Sequence, residues 1–185
     1  GGASMLAQNK RGDTPFSCAV KAEAFDIMLF MLEVGSDMDV EASLVAMALF
    51  KAACLERKDV LEALSHAGVP LDIADEQGDT PLMKAVSEGR FNATANLVDA
   101  GADVNFISEN RSSALLCAIK HNHTSIVSYL LSKNADPNAN DELEAIPLLQ
   151  AIQKRNLSVT KALLEGKAAI NVQDTDGKTV LATAI

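Results

Sequence analysis

The fold is decided by Gly78-Asp79-Thr80-Pro81-Leu82-Met83-Lys84-Ala85-Val86-Ser87-Glu88-Gly89, and by Leu97-Val98-Asp99-Ala100-Gly101-Ala102-Asp103-Val104-Asn105 a few residues later. Gly78 is suited to a turn that needs positive φ. Thr80 is a typical N-cap residue, and Pro81 follows at the first helical position, where proline is tolerated. Gly89 ends this short helix, and Gly101 suits the end of a second one. The stretch therefore predicts a turn, a short helix, a tight loop, a second helix and another turn.

The pattern recurs every 33 residues without insertions, from one end of the chain to the other. The position of Thr80 is occupied in turn by Thr14, Met47, Thr80, Ser113, Ile146 and Thr179. Five residues further on, every copy has alanine: Ala19, Ala52, Ala85, Ala118, Ala151 and Ala184. Two residues further on, every copy is apolar: Phe16, Leu49, Leu82, Leu115, Leu148 and Leu181. We call each repeated position a slot and number it by its distance from the Thr position, so the alanines lie at slot five and the apolar residues at slot two. Agreement of several slots at one period indicates a repeat protein.

Each unit resembles an ankyrin repeat, a family with the signature Thr-Pro-Leu-His-x-Ala and a period of about 33 residues. Met83 replaces the histidine of that signature. The resemblance covers essentially the whole chain and implies an all-α solenoid of helix-loop-helix units with short projecting turns, or fingers. Residues 1–11 are assigned to a tag remnant and lead-in. The expected units are residues 12–40, 41–73, 74–105, 106–139 and 140–172, with a partial unit at 173–185.

Composition excludes several classes of function. The 185 residues carry a formal net charge of −9, which argues against nucleic-acid binding because that requires a basic face. No apolar run approaches the roughly 20 residues of a membrane span, and no signal peptide is evident. The odd cysteine count of three, without local pairs, fits reduced thiols in the cytoplasm or the nucleus. We therefore expect neither membrane insertion nor a nucleic-acid partner.

Units one and two depart from the pattern. The second helix of unit one, Phe25 to Leu32, is apolar nearly all round, which predicts cover on more than one side by further repeats or by a partner. In unit two the run from Ala42 to Leu55 has no Gly or Thr-Pro to start the helix. We expect its first helix to begin early and its finger to be irregular. The resulting apolar bump at Leu44, Val45 and Met47 either packs on unit three or docks a partner.

No catalytic or metal-binding motif is present. The sequence has no phosphate loop, no Gly-x-Ser-x-Gly and no His-Glu-x-x-His. The histidines are His66, His121 and His123, whereas a zinc site needs three or four convergent ligands. The acidic pairs are expected on solvated finger tips. We therefore predict a protein that is not an enzyme, with no cofactor, no metal and no small-molecule ligand.

The resemblance implies that a partner protein or peptide binds the concave face formed by the first helices and the fingers. Specificity must come from the variable slots, namely slots four, seven and eight, which face away from the core, and slot three, which borders them. The residues proposed to bind a partner are Lys21, Phe50, Lys51, Leu55, Met83, Lys84, Glu88, Lys120, His121, Gln150 and Lys154. The lysines either neutralise acidic fingers or meet acidic groups of an extended peptide or helix.

Other interpretations remain open. The domain is expected to be a non-enzymatic scaffold excerpted from a longer intracellular protein, or else the recruiting or regulatory part of an enzyme, channel or trafficking factor. A microbial effector with the same architecture is a weaker alternative. Asn105, Asn138 and Asn171 occupy the slot that asparaginyl hydroxylases modify in some ankyrin proteins, although hydrogen bonding in the turn explains them as well.

Overall fold

The computed structural model describes residues 7–34, 42–109, 112–139, 146–171 and 179. Ten helices lie in these ranges. They are α1 (Pro15–Lys21), α2 (Phe25–Val34), α3 (Ala42–Cys54), α4 (Lys58–His66), α5 (Pro81–Ser87), α6 (Phe91–Ala100), α7 (Ala114–Lys120), α8 (Thr124–Ser132), α9 (Pro147–Gln153) and α10 (Leu157–Glu165). Odd-numbered helices are the first helices of the predicted units, and even-numbered helices are the second.

The helices keep the period of the sequence. The second helices begin 33 residues apart, at Phe25, Lys58, Phe91, Thr124 and Leu157. The first helices α5, α7 and α9 begin at Pro81, Ala114 and Pro147, with the same spacing. The expected all-α repeat fold is confirmed.

At the Thr position of units three and four, Thr80 and Ser113 cap the first helices α5 and α7. The Oγ1 atom of Thr80 accepts a hydrogen bond from the backbone N–H of Met83 at 3.2 Å. Ser113 does the same for Leu116 at 3.3 Å. These bonds satisfy N–H groups that have no partner within the first helical turn.

Helix α3 is the exception, because it begins six residues before Ala48, where the 33-residue register would place its start. This confirms the early start predicted for unit two. Of the predicted apolar bump, Val45 is buried, Leu44 is half-buried and Met47 is 36% exposed. The segment expected to form the irregular finger of unit two, residues 41–48, is helical from Ala42 onward, and residue 41 lies outside the described residues.

The helices form two layers with the core between them. Consecutive first helices contact one another from α1 to α9, and consecutive second helices contact one another from α2 to α10. The described alanines of slot five are all buried, and four of them are 0% exposed, namely Ala52, Ala85, Ala118 and Ala151. Leu49, Leu82 and the other described apolar residues of slot two are buried with them. A small residue at slot five allows helices to approach closely, so each unit covers the apolar side of the next.

The turn before α5 is held by Asp75. Its carboxylate accepts hydrogen bonds from the backbone N–H groups of Gln77 at 2.9 Å and Asp79 at 3.0 Å. Gly78 has a φ of 80°, as its place in this turn predicts. In unit one, Asn9 caps residues 11 and 13 in the same way. Residues 9–11, assigned from the sequence to the lead-in, therefore lie in the same kind of turn.

Helix α2 exposes part of its apolar surface. Phe25 and Met28 are buried in the core, whereas Ile27 is 55% exposed and Phe30 is 60% exposed. Because this helix is apolar on its outer side as well, as the sequence indicates, two large apolar side chains are exposed there. Most of the partial sixth unit lies outside the described residues.

Candidate functional site

The candidate site is the outward surface of the first helices, defined by slots four, seven and eight and called here the open face. In units one, two, three and five every residue of these slots is exposed or half-exposed. In unit four Lys120 and His121 are exposed, but Cys117 at slot four is buried. Of the proposed partner-binding residues, the open face holds Lys21, Lys51, Leu55, Lys84, Glu88, Lys120, His121, Gln150 and Lys154.

Slot three does not belong to this surface, and the expectation for Met83 is corrected. Met83 is only 1% exposed, and Leu116 and Leu149 are buried at the same slot. A helix turns about 100° per residue, so slot three lies to one side of the Leu slot and faces the neighbouring first helix. There Met83 packs in the core and cannot anchor a partner. Phe50 is half-buried at this slot.

Phe50 is the centre of a mixed cluster at the junction of units two and three. The Nζ atom of Lys84 lies 5.6 Å from the centroid of its ring, and the guanidinium carbon of Arg90 lies 5.9 Å from it. Arg90 also pairs with Glu88 at 2.6 Å. Such contacts hold cations over an aromatic face. The structure thus brings together three predicted residues and one that the sequence analysis missed.

Arg90 was missed because only slots three, four, seven and eight were considered. It occupies slot ten, in the tight loop between α5 and α6, where its long side chain can reach back to the ring of Phe50. Arg90 could have been predicted from its position, because a charged residue directly after the turn at Gly89 lies at the margin of the open face.

The lysines of the open face differ in their surroundings. Lys21 pairs with Asp13, and Lys51 pairs with Glu23 at 3.3 Å. Within the part of the chain that the structure describes, Lys120 and Lys154 form no ion pair. Pairing with nearby acids therefore accounts for Lys21 and Lys51, and it leaves other cations of the open face available.

In the finger of unit three, the carboxyl group of Asp79 has a raised pKa. Its partial burial raises the pKa of its carboxyl group, and the negative charge of Asp75 raises it further. The positive charges of Lys84, Lys120 and His121 act in the opposite direction. Charged groups of the open face therefore influence the protonation of an acidic residue in the finger.

The remaining candidate residues are the histidines, the acidic residues and the cysteines. In those ranges no group of three or more His, Cys, Asp or Glu side chains is placed to hold a metal ion. Cys18, Cys54 and Cys117 are all free thiols. Of the helices described, none has the length and apolar character needed to cross a bilayer.

The asparagines of the turn slot have defined structural contacts. Asn105 and Asn138 each accept a hydrogen bond from a backbone N–H of the following unit. Asn171 is exposed at the edge of the described residues. Their hydroxylation stays a hypothesis from the resemblance.

Paired helices stacked at a fixed period, with a variable open face, define a helical repeat protein of the kind that displays a binding surface. A family model for ankyrin repeats matches three copies over residues 49–141, and the chain therefore belongs to the ankyrin repeat family. A search of curated proteins found no match. Ankyrin repeats generally mediate protein–protein interaction, and their domains are typically non-catalytic.

Proposed function

We propose that this domain is a non-enzymatic interaction module that binds a peptide or protein partner across the open face. The observation that carries the proposal is the contrast between slots in successive units. The described residues of slots two and five are buried in every unit, whereas slots four, seven and eight are accessible everywhere except at Cys117. The buried slots build the fold, which leaves the accessible ones free to vary for recognition.

The chemistry of the open face favours a partner with acidic and apolar groups. Lysines of five successive units lie on it, and those of units four and five are unpaired within the described residues. Leu55 is 49% exposed, and Phe50, at the bordering slot three, is half-buried. Large side chains that fill a pocket of the partner supply much of the binding energy of an interface, and Phe50 and Leu55 are the candidates for this role. Cations placed along the face would steer an acidic segment and fix its register.

The test is affinity capture with matched charge reversals. The wild-type domain, a variant with Lys51→Glu, Lys84→Glu and Lys120→Glu, and a control are immobilised and incubated with cell extract. The control carries Lys58→Glu, Lys133→Glu and Lys161→Glu, three exposed lysines on or next to second helices. Both variants change the net charge equally, so non-specific electrostatics are matched. Circular dichroism melts verify that each variant is folded.

We expect at least one protein to be captured by the wild type and by the control but not by the open-face variant. That protein is then purified and its affinity measured, with a loss of about tenfold or more expected for the open-face variant. Partners that are lost only with the control variant would move the binding surface to the second helices and would contradict the proposal.

A further inference from the structure

A cavity of about 230 Å³ lies between α3 and the finger of unit three. One wall is formed by Ala46 and Met47 of α3, and the other by Glu76, Asp79 and Pro81. A single buried water needs only about 10–15 Å³ of this kind of volume, so the cavity has room for a long side chain. Its lining includes Lys84, a residue of the open face.

The first wall exists because α3 starts early. The extra helical turn, residues 42–47, occupies chain positions that form the finger turn before α5 in unit three. This turn presents apolar carbon atoms of Ala46 and Met47 to the cavity, and Met47 is 36% exposed. One wall of the cavity therefore depends on the irregular second unit.

The second wall supplies negative charge. The Oδ1 atom of Asp75 accepts hydrogen bonds from two backbone N–H groups of its own turn. In contrast, no ion pair within the described residues neutralises Glu76 or Asp79. Partial burial and the charge of Asp75 raise the pKa of Asp79, and this outweighs the opposite effect of Lys84, Lys120 and His121.

Lys84 is the one basic residue among those that line the cavity, and its ammonium group lies over the ring of Phe50. With three carboxylates and one ammonium group, the lining has a net charge of −2. An apolar wall that faces carboxylates matches the two parts of a basic side chain, an aliphatic stem and a charged end.

We propose that this cavity binds an arginine or lysine side chain of a partner segment that crosses the open face. The aliphatic stem lies on Ala46 and Met47, and the charged end meets Glu76 and Asp79. The inference rests on the proposed function and specifies it further: the bound segment carries a basic residue at this point, next to groups that pair with the lysines.

The probe is a phage-displayed library of random dodecapeptides, selected on the immobilised wild-type domain. Selected peptides are synthesised, and their affinities are measured by isothermal titration calorimetry. We expect them to share one arginine or lysine, and we expect replacement of that residue by citrulline or norleucine to weaken binding about tenfold. Glu76→Lys and Met47→Arg, both at exposed positions, should weaken binding to a similar extent. Met47→Arg places a guanidinium in the cavity from within the domain itself.

The matched control is Glu165→Lys, which makes the same charge change at an exposed position of α10 and should leave affinity within about twofold. Selected peptides without a basic residue, no selected peptides at all, or affinities unaffected by Glu76→Lys and Met47→Arg would each overturn the cavity proposal.

A variant with Lys51→Glu and Lys120→Glu separates the two proposals. Peptides sensitive to it but not to the cavity variants overturn the cavity alone, whereas peptides insensitive to both sets of changes contradict the open face as well.

Discussion

The side chain of Asn105 links its unit to the next one through Asp136, whose backbone N–H donates a hydrogen bond of 2.7 Å to Asn105 Oδ1. The Nδ2 atom of Asn105 donates to the carbonyl of Asn134 at 3.0 Å, so both ends of the amide are used. Asn138 accepts in the same way from the N–H of Ala169. These contacts fix neighbouring turns to one another, in addition to the packing of the helices.

Asp72 occupies the same slot in unit two, and its carboxylate accepts from the N–H of Asp103 at 3.0 Å. A carboxylate cannot donate, so it lacks the second bond that Asn105 makes. We expect Asp72→Asn to stabilise the domain at neutral pH by about 0.5–1 kcal/mol, since the new amide can donate to the carbonyl of Gly101. Urea unfolding measures the change.

The effect of Asp72→Asn on stability should depend on pH, and the pKa of Asp72 determines in which direction. Burial is the main cause that raises the pKa of Asp72 above 3.8, and Asp103 adds to it, although the bond from the Asp103 N–H opposes them. The folded state therefore binds the proton more tightly than the unfolded state. Stability from this group is present below pH 3.8 and is lost as the pH rises through the folded pKa. The benefit of Asp72→Asn should shrink in acid.

The control is Asp26→Asn, because Asp26 is 92% exposed and should respond little. A destabilisation at neutral pH equal to that of Asp72→Ala would contradict the argument.

The tight loop between paired helices requires positive φ in every described unit. The residues at this slot are Glu23, Glu56, Gly89, Asn122 and Arg155, with φ between 53° and 70°. The left-handed conformation costs a residue with a Cβ atom roughly 1–2 kcal/mol, whereas glycine adopts it freely. We expect Arg155→Gly to stabilise the domain by about 0.5–1 kcal/mol after the entropy of glycine in the unfolded chain is deducted. The unfolding midpoint in urea measures it. Unchanged or lower stability would show that this loop is not strained.

The reverse substitution at the same slot, Gly89→Ala, should be destabilising. A Cβ atom at Gly89 would lie 2.6 Å from Cε1 of His123, and the φ of 70° adds strain. The imidazole is held in place, because its Nε2 atom lies 3.1 Å from the carbonyl of Ser87. We expect a loss of about 1–3 kcal/mol in urea unfolding. The double variant with His123→Ala is the control, since removal of the ring should recover the part of the loss due to the clash. If the double variant is no more stable than expected for independent changes, the clash does not contribute.

Much of the fold was predictable because the same residue types recur at equivalent positions in successive units. Thr80 and Ser113 cap helices as expected, and the absence of Gly and Thr-Pro in unit two correctly predicted the early start of α3. The period also predicted the buried alanines of slot five.

The composition of the site was less predictable, because it depends on contacts between units. Met83 was expected on the surface, but its slot faces the neighbouring first helix. Arg90 reaches Phe50 across a unit boundary, and the cavity arises where the extra turn of α3 meets the next finger. A pattern read within one unit does not show these contacts between two units.

The three thiols should differ in reactivity. Cys18 is exposed, Cys54 is half-buried and Cys117 is buried. Burial raises the pKa of Cys117 and that of Cys54, which lowers the fraction of reactive thiolate. We expect Ellman's reagent to modify Cys18 fastest and Cys117 slowest in the folded domain, with all three equal in denaturant. Single-cysteine variants assign the phases. Fast modification of Cys117 under native conditions would indicate that α7 opens locally.

The exposed side chains of α2 should promote self-association. Ile27 and Phe30 are three residues apart, so they lie on one face of the helix, and both are more than half exposed. We expect the wild-type domain to associate at high concentration, and we expect Ile27→Lys with Phe30→Glu to abolish this. The pair of changes leaves the net charge unaltered, and stability should change by less than about 0.5 kcal/mol because the core side of α2 is untouched. Sedimentation velocity over a range of concentrations measures association. The control, Leu157→Lys with Leu164→Glu, makes the same chemical change on α10, where both residues are also exposed. Equal association in wild type and α2 variant, or its loss only in the α10 variant, would exclude α2 as the contact surface.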